Sequence, residues 1–149
     1  MTHHSISQTF ALVSPDALVN YFYRSDMHKV DPSVWILSVA RNHQILSVTR
    51  VFDEELCLGV DGNLHLCIYE PLKVHSTKFF VVRSFKYLNE FEPWDYEVIN
   101  KLTVATRALG MQMIDYMLIN TNEKAPHKYR SAHQSVMTDP KVREALVLV

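Results

Sequence analysis

Glycine is scarce in this chain, with three in 149 residues. There is no P-loop and no G-x-G-x-x-G, so the backbone lacks the loops that cradle phosphate. A serine-triad signature is also missing. The formal charge is only −1, which gives no strong electrostatic pull toward nucleic acid or anionic lipid. No apolar run approaches the roughly 18 residues of a membrane span. Cysteine is limited to Cys57 and Cys67, and neither has the helix-start or paired-base context of a nucleophile. Two reduced thiols, acting as small buried hydrophobes, are the expectation. The N-terminus, Met1-Thr2-His3-His4-Ser5, has neither an apolar segment nor a basic lead. A cytoplasmic protein is therefore expected.

What is present is an ordinary globular composition, 48% hydrophobic and 21% charged. One domain of this length buries roughly 70% of its unfolded surface and folds without a staple. Ser14-Pro15-Asp16 starts a helix: a serine cap, proline in the first turn and a carboxylate at the positive dipole end. Leu18, Tyr21 and Phe22 share its apolar face, and the helix should end near Arg24 ahead of a polar loop over 25–32. Residues 34–40 are nearly all apolar and read as a central strand covered on both faces. Arg41-Asn42-His43-Gln44 reads as a tight turn, with Asn42 suited to positive φ. The partner strand over 45–52 then places Leu46, Val48 and Phe52 on one side.

Asp61-Gly62-Asn63 reads as a turn, and 64–72 as a short helix with Leu64, Ile68 and Leu72 aligned. Residues 79–85 form the third strand. The clearest helix covers 95–109, with Val98, Leu102, Ala105 and Leu109 in a stripe and Gly110 as its left-handed stop. A buried strand over 113–119 follows, and a last helix over 139–148 would align Val142, Leu146 and Val149. The order is α/β with a mixed sheet: an antiparallel hairpin, then a parallel crossover from 79–85 to 113–119. Ligand sites in such folds lie beyond the carboxyl ends of the parallel strands. That points to residues 83–89.

Several phrases carry a resemblance to a known family. They are Ser14-Pro15-Asp16-Ala17-Leu18, the strand and turn over 34–45, and Asp95 with the residues after it. Ala108-Leu109-Gly110-Met111-Gln112-Met113-Ile114-Asp115-Tyr116 and Tyr129-Arg130-Ser131 complete the set. Together they resemble the RadC-like branch of the JAB/MPN metalloprotease-type domains, whose pattern includes "A-x-x-L-G-I-x-L-L-D-H" and a later "Y-x-S". The resemblance implies a mixed-sheet JAB/MPN architecture over 14–131, with 1–13 as an N-terminal extension and 132–149 as a tail.

Active relatives hold zinc through "H-x-H-P-S-G-D", with a hairpin glutamate as general base. Zinc lowers the pKa of its water to about 7, and the glutamate moves the proton. Counted back from Asp95, the ligand positions fall on Val82, Ser84 and Leu88, or one residue on, on Arg83, Phe85 and Asn89. Neither register supplies three ligands. The hairpin offers Ser47, Val48 and Thr49 in place of a glutamate, and Tyr116 stands where the pattern has histidine. The resemblance thus implies a domain that has lost zinc and hydrolase activity and serves as a binding or scaffolding module.

The residues themselves leave several alternatives open. Val82 and Phe85 should be buried, giving a filled, dry strand end. Arg83 reads as a solvated strand terminus, as a salt-bridge partner of Glu90 or Glu92, or as an anion-binding residue at an inherited pocket. A zinc hydrolase with relocated ligands would draw on His65 and His75 with Cys67, Asp61 and Glu70, or on His127 and His133. Neither spacing matches a recognised ligand pattern. A role beside DNA in repair or mobile elements rests on the family's label alone. Tyr87, Phe91 and Trp94 either join the core or form a patch for a protein partner or a second copy of the chain.

Overall fold

The computed structural model describes residues 11–30, 32–51, 64–86 and 90–147. Helix α1 (Pro15–Arg24) begins as the sequence implies, with Ser14 Oγ accepting the Ala17 N–H at 3.1 Å. Leu18, Val19, Tyr21 and Phe22 are its buried face. Part of the segment expected as a polar loop forms instead a 3-10 helix (Asp26–Lys29). The Ser25 side chain caps it, and the burial of Met27 holds it down.

Five strands make one mixed sheet in the order β2-β1-β3-β4-β5. They are β1 (Ser33–Val39), β2 (Ile45–Val51), β3 (Lys78–Phe85), β4 (Gln112–Asn120) and β5 (Tyr129–Ser131). Strand β1 runs antiparallel to both β2 and β3, β3 is parallel to β4, and β5 returns antiparallel. All seven residues of β1 are buried. Its side chains alternate, with Val34 and Ile36 on one face and Trp35, Leu37 and Val39 on the other, as pleating requires. The first face is covered by α2 (His65–Lys73), α3 (Pro93–Ala108) and α4 (Pro140–Ala145), and the second by α1. The result is three layers with a core on each side of the sheet.

Some local expectations shift. Positive φ in the β1–β2 turn falls on His43 (67°), while Asn42 Oδ1 accepts the Gln44 N–H. Leu46 is exposed because β2 is an edge strand, and Phe52 lies outside the described residues. The turn at 61–63 and Cys57 also lie outside them. Helix α2 buries Cys67 and Pro71 and leaves Leu72 exposed, so its inward face is one residue off the Leu64–Ile68–Leu72 line.

Helix α3 starts two residues earlier than expected, at Pro93. Its buried face holds Val98, Ile99 and Leu102 together with Thr103 and Thr106. Those threonines are tolerated because each hydroxyl donates to a carbonyl four residues back, at 2.7 Å. Leu109, expected in the stripe, is 59% exposed, since it sits at the C-cap where the chain leaves the core. Strand β5 carries no apolar alternation that would announce it. Beyond it, Val142 and Leu146 pack into the core as their spacing implies, although α4 is only six residues long.

Gly110 ends α3 at φ +70° with open space around its Cβ position. Gly110→Ala should therefore lower unfolding free energy by about 1 kcal/mol, the cost of left-handed backbone for a residue with a Cβ. Urea denaturation checks this, and an unchanged midpoint would contradict it.

Candidate functional site at the carboxyl end of β3

Alternation along β3 sends Val82 into the core under α1 and turns Arg83 toward the start of α3. The sequence builds that start as a capping box: Glu92 is the N-cap, Pro93 the first helical residue, and Asp95 Oδ2 accepts the Glu92 N–H at 2.7 Å. Arg83 is buried, with Nη1 3.1 Å from Asp95 Oδ2 and Nη2 3.2 Å from Glu92 Oε1. Its Cζ lies 4.4 Å from the centre of the Trp94 ring, a cation–π arrangement. Across the site, the Tyr116 hydroxyl donates to Asp95 Oδ1 at 2.5 Å. Phe91 covers Tyr116, their ring centres 6.2 Å apart.

The Asp95 carboxylate is fully buried and accepts from three donors. Burial raises its pKa above the ordinary value, against the pull of Arg83 and Tyr116. Burial likewise opposes the Arg83 charge, but Asp95, Tyr116 and Glu92 hold that pKa above its usual range. Tyr116 is pushed well up by burial and by Asp95, so it stays a neutral donor. Chemically the cluster is an internal cation clamped between two carboxylates beneath an indole.

The ligand-register positions separate accordingly. Val82 is core, and Ser84 Oγ donates to the Ser33 carbonyl at 3.4 Å. Arg83 is not a solvated terminus: it pairs with Glu92, one of the partners expected, and with Asp95, while among the described residues its Nε has no hydrogen-bond partner. Phe85, expected to be buried, is 42% exposed. It pairs with Asn120 at the last rung of β3 and β4, past the final core layer. Leu88 and Asn89, like Tyr87, lie outside the described residues.

In the hairpin, Val48 is buried and Thr49 Oγ1 donates to Glu70 Oε2 at 3.3 Å. The Ser47 hydroxyl is buried and has no partner among the described residues. Phe91 joins the core and Trp94 packs against it, so those two aromatics form no exposed patch. Sequence reading missed Asp95 as the partner of Arg83, because it took that residue as the first of the helix and weighed only Glu90 and Glu92 as partners.

His65 is exposed at the first position of α2 and His75 is exposed two residues past its last, so the full helix, about 12 Å from its first to its last Cα at 1.5 Å per residue, lies between them. His127 and His133 are exposed on either side of β5. Among the described residues no group of three His, Cys, Asp or Glu side chains is placed to hold a metal ion. The Cys67 thiol is free and fully buried, and burial pushes its pKa up to about 12.

A second buried carboxylate, Asp115, fastens β5 to β4. The Ser131 hydroxyl donates to its Oδ2, while its Oδ1 accepts the Tyr116 N–H at 2.8 Å and the His133 N–H at 3.1 Å. Burial raises the Asp115 pKa, with Ser131 and His133 pulling the other way.

No family model matches the chain, and no curated protein sequence matches it. Among the described residues no helix is long and apolar enough to cross a membrane.

Two outcomes follow from these clusters. Arg83→Met strands the Asp95 carboxylate in the core and should cost about 3–5 kcal/mol in urea unfolding; a loss below about 1 kcal/mol would contradict the clamp. Asp115 ionises less readily folded than unfolded, so its contribution is full below the unfolded value near 3.8 and is lost as pH climbs through the raised folded value. The stability of Asp115→Asn minus that of the parent should accordingly rise with pH from about 4 and then level off, measured by urea titration at several pH values. A difference that falls over that range would contradict the sign.

Proposed function

We propose that this chain is a RadC-like JAB/MPN-type domain in which an arginine does the work of a metal, leaving a cytoplasmic binding or scaffolding module in place of a hydrolase. One observation carries the reading. The guanidinium of Arg83 sits at the carboxyl end of β3, bound to Asp95 and Glu92 and covered by Trp94. A divalent ion against the same carboxylates would have to expel a buried charge of its own sign. In active relatives that strand end carries the histidines that grip zinc; here it carries a side chain that is itself a cation.

Further contacts support the resemblance. Asp115 and Ser131 stand where the pattern has the aspartate of "L-L-D-H" and the serine of "Y-x-S", and the two are hydrogen-bonded. Tyr116, at the histidine of "L-L-D-H", reaches back to Asp95 near the start of α3. The parallel pair β3 and β4 with α3 between them in sequence suits the implied architecture. Strand positions that active members give to ligands are spent here on packing (Val82) and on a strand-to-strand hydrogen bond (Ser84).

Elemental analysis of protein purified without chelator tests this. Zinc below about a tenth of an equivalent is expected, since among the described residues none of the usual His, Cys and carboxylate sets is assembled. Near-stoichiometric zinc that survives dialysis would overturn the reading.

A further inference from the structure

A cleft of about 210 Å³ lies between the last turns of α3, the start of β4 and the end of α4. Buried Met111, Met113 and Leu146 give it an apolar floor. Thr103 and Thr106 add no free donor to its wall, because both hydroxyls donate to carbonyls of α3. Exposed Arg107, Gln112 and His133 complete it as a polar rim.

That rim is rich in donors and carries a positive charge. Arg107 Nη2 donates to the Leu146 carbonyl at 3.0 Å, which holds the guanidinium at the end of α4. Among the described residues its Nη1 and Nε have no partner, and no ion pair includes it. The side chains of Gln112 and His133 are also without hydrogen-bond partners among the described residues. The His133 ring already acts on Asp115 as an opposite charge, so it counts here as an N–H donor, and Arg107 supplies the cation.

Negative groups are engaged elsewhere. No carboxylate lines this cleft. Asp115 lines a different one, beside Leu12 and Phe80, and both its oxygens are taken by Ser131, Tyr116 and His133. The carbonyls at the negative end of α3 are occupied as well: Thr106 accepts from Leu109 and Met111, and Arg107 from Gly110. One guanidinium fork and two neutral donors above an apolar floor complement a planar monoanion with an apolar body. A carboxylate on a short aliphatic stem has that form. A dianionic phosphate would exceed the single charge and leave the floor uncovered. The volume, below the usual range for drug-sized ligands, has room for a few carbon atoms.

We propose that this cleft binds a small free aliphatic monocarboxylate, its charge on the open side of the Arg107 fork and its stem against Met111, Met113 and Leu146. The site uses none of the residues of the Arg83 cluster. Zinc content, which decides the reading of that cluster, therefore leaves this inference untouched, and either can fail alone.

The test is an NMR titration of the full chain, at matched ionic strength, with butanoate, n-butanol, n-butylammonium, inorganic phosphate and Nα-acetyl-glycyl-valine. Saturable shifts of the Met111 and Met113 methyl groups are expected for butanoate, with affinity at least about tenfold above butanol and butylammonium. Arg107→Gln should weaken binding at least about tenfold. Gln112→Glu keeps the shape of an exposed side chain and sets a negative charge on the rim. It should weaken binding to a similar degree at unchanged Tm, which separates loss of the site from loss of the fold. Butanol or butylammonium binding as well as butanoate, no saturation, or indifference to either variant would overturn the proposal. Tighter binding of phosphate would overturn the carboxylate in favour of an inorganic anion. Tighter binding of the acetylated dipeptide would overturn the free acid in favour of a peptide C-terminus.

Discussion

The contact between Arg83 and Asp95 fixes where three elements meet. Arg83 comes from β3, Asp95 from the first turn of α3, and Tyr116, the other partner of Asp95, from β4. In a parallel β-α-β unit that junction is where a crevice would open beyond the strand ends. Among the described residues this junction holds the Arg83–Asp95 pair, its hydrogen bonds and the Trp94 ring. A buried ion pair adds little net stability over well-packed apolar residues, but losing one member leaves a charge with nowhere to go. The pair is best understood as a lock on geometry. It sets the start of α3 against the sheet, and the apolar face from Val98 to Thr106 follows from that placement.

The sheet is thus asymmetric along its length. At the carboxyl end of β3 the buried carboxylate carries its own cation inside the fold. Toward the amino end, the second buried carboxylate is satisfied by one hydroxyl and two backbone N–H groups and borders a cleft with apolar walls. In proteins of this layered type, function usually gathers at the first end. The two ends differ in how the carboxylate is held: Asp95 is paired with a guanidinium, whereas Asp115 is held by hydrogen bonds and by the field of His133.

Much of the architecture could be read from residue types. Ser14-Pro15-Asp16, the apolar run of β1 and Gly110 each fix an element because local chemistry and tertiary burial agree. The α/β mixed sheet follows from them. Agreement breaks at the element ends. Leu109 and Phe85 look like core residues by pattern but fall beyond the last packed layer, and periodicity says nothing about where a layer stops. The 3-10 helix at 26–29 rests on Met27, a lone apolar residue in a polar stretch. At the candidate site, the loss of ligand-type residues at 82–85 was legible. The identity of what replaced them was only half so. Glu92 was within reach as a partner for Arg83, whereas Asp95 read only as the start of the helix, and its tie to Tyr116 spans 21 residues with no local signal.

The central claim is that Arg83 and Asp95 act as one unit that ties β3 to the start of α3. A double-mutant cycle with Arg83→Met, Asp95→Asn and the double variant, read by urea unfolding at neutral pH, measures this most directly. The account predicts a coupling of about 2 kcal/mol or more, the double variant being far less damaged than the sum of the singles. Additivity within about 0.5 kcal/mol would show that the two side chains are independent, and the account would be wrong.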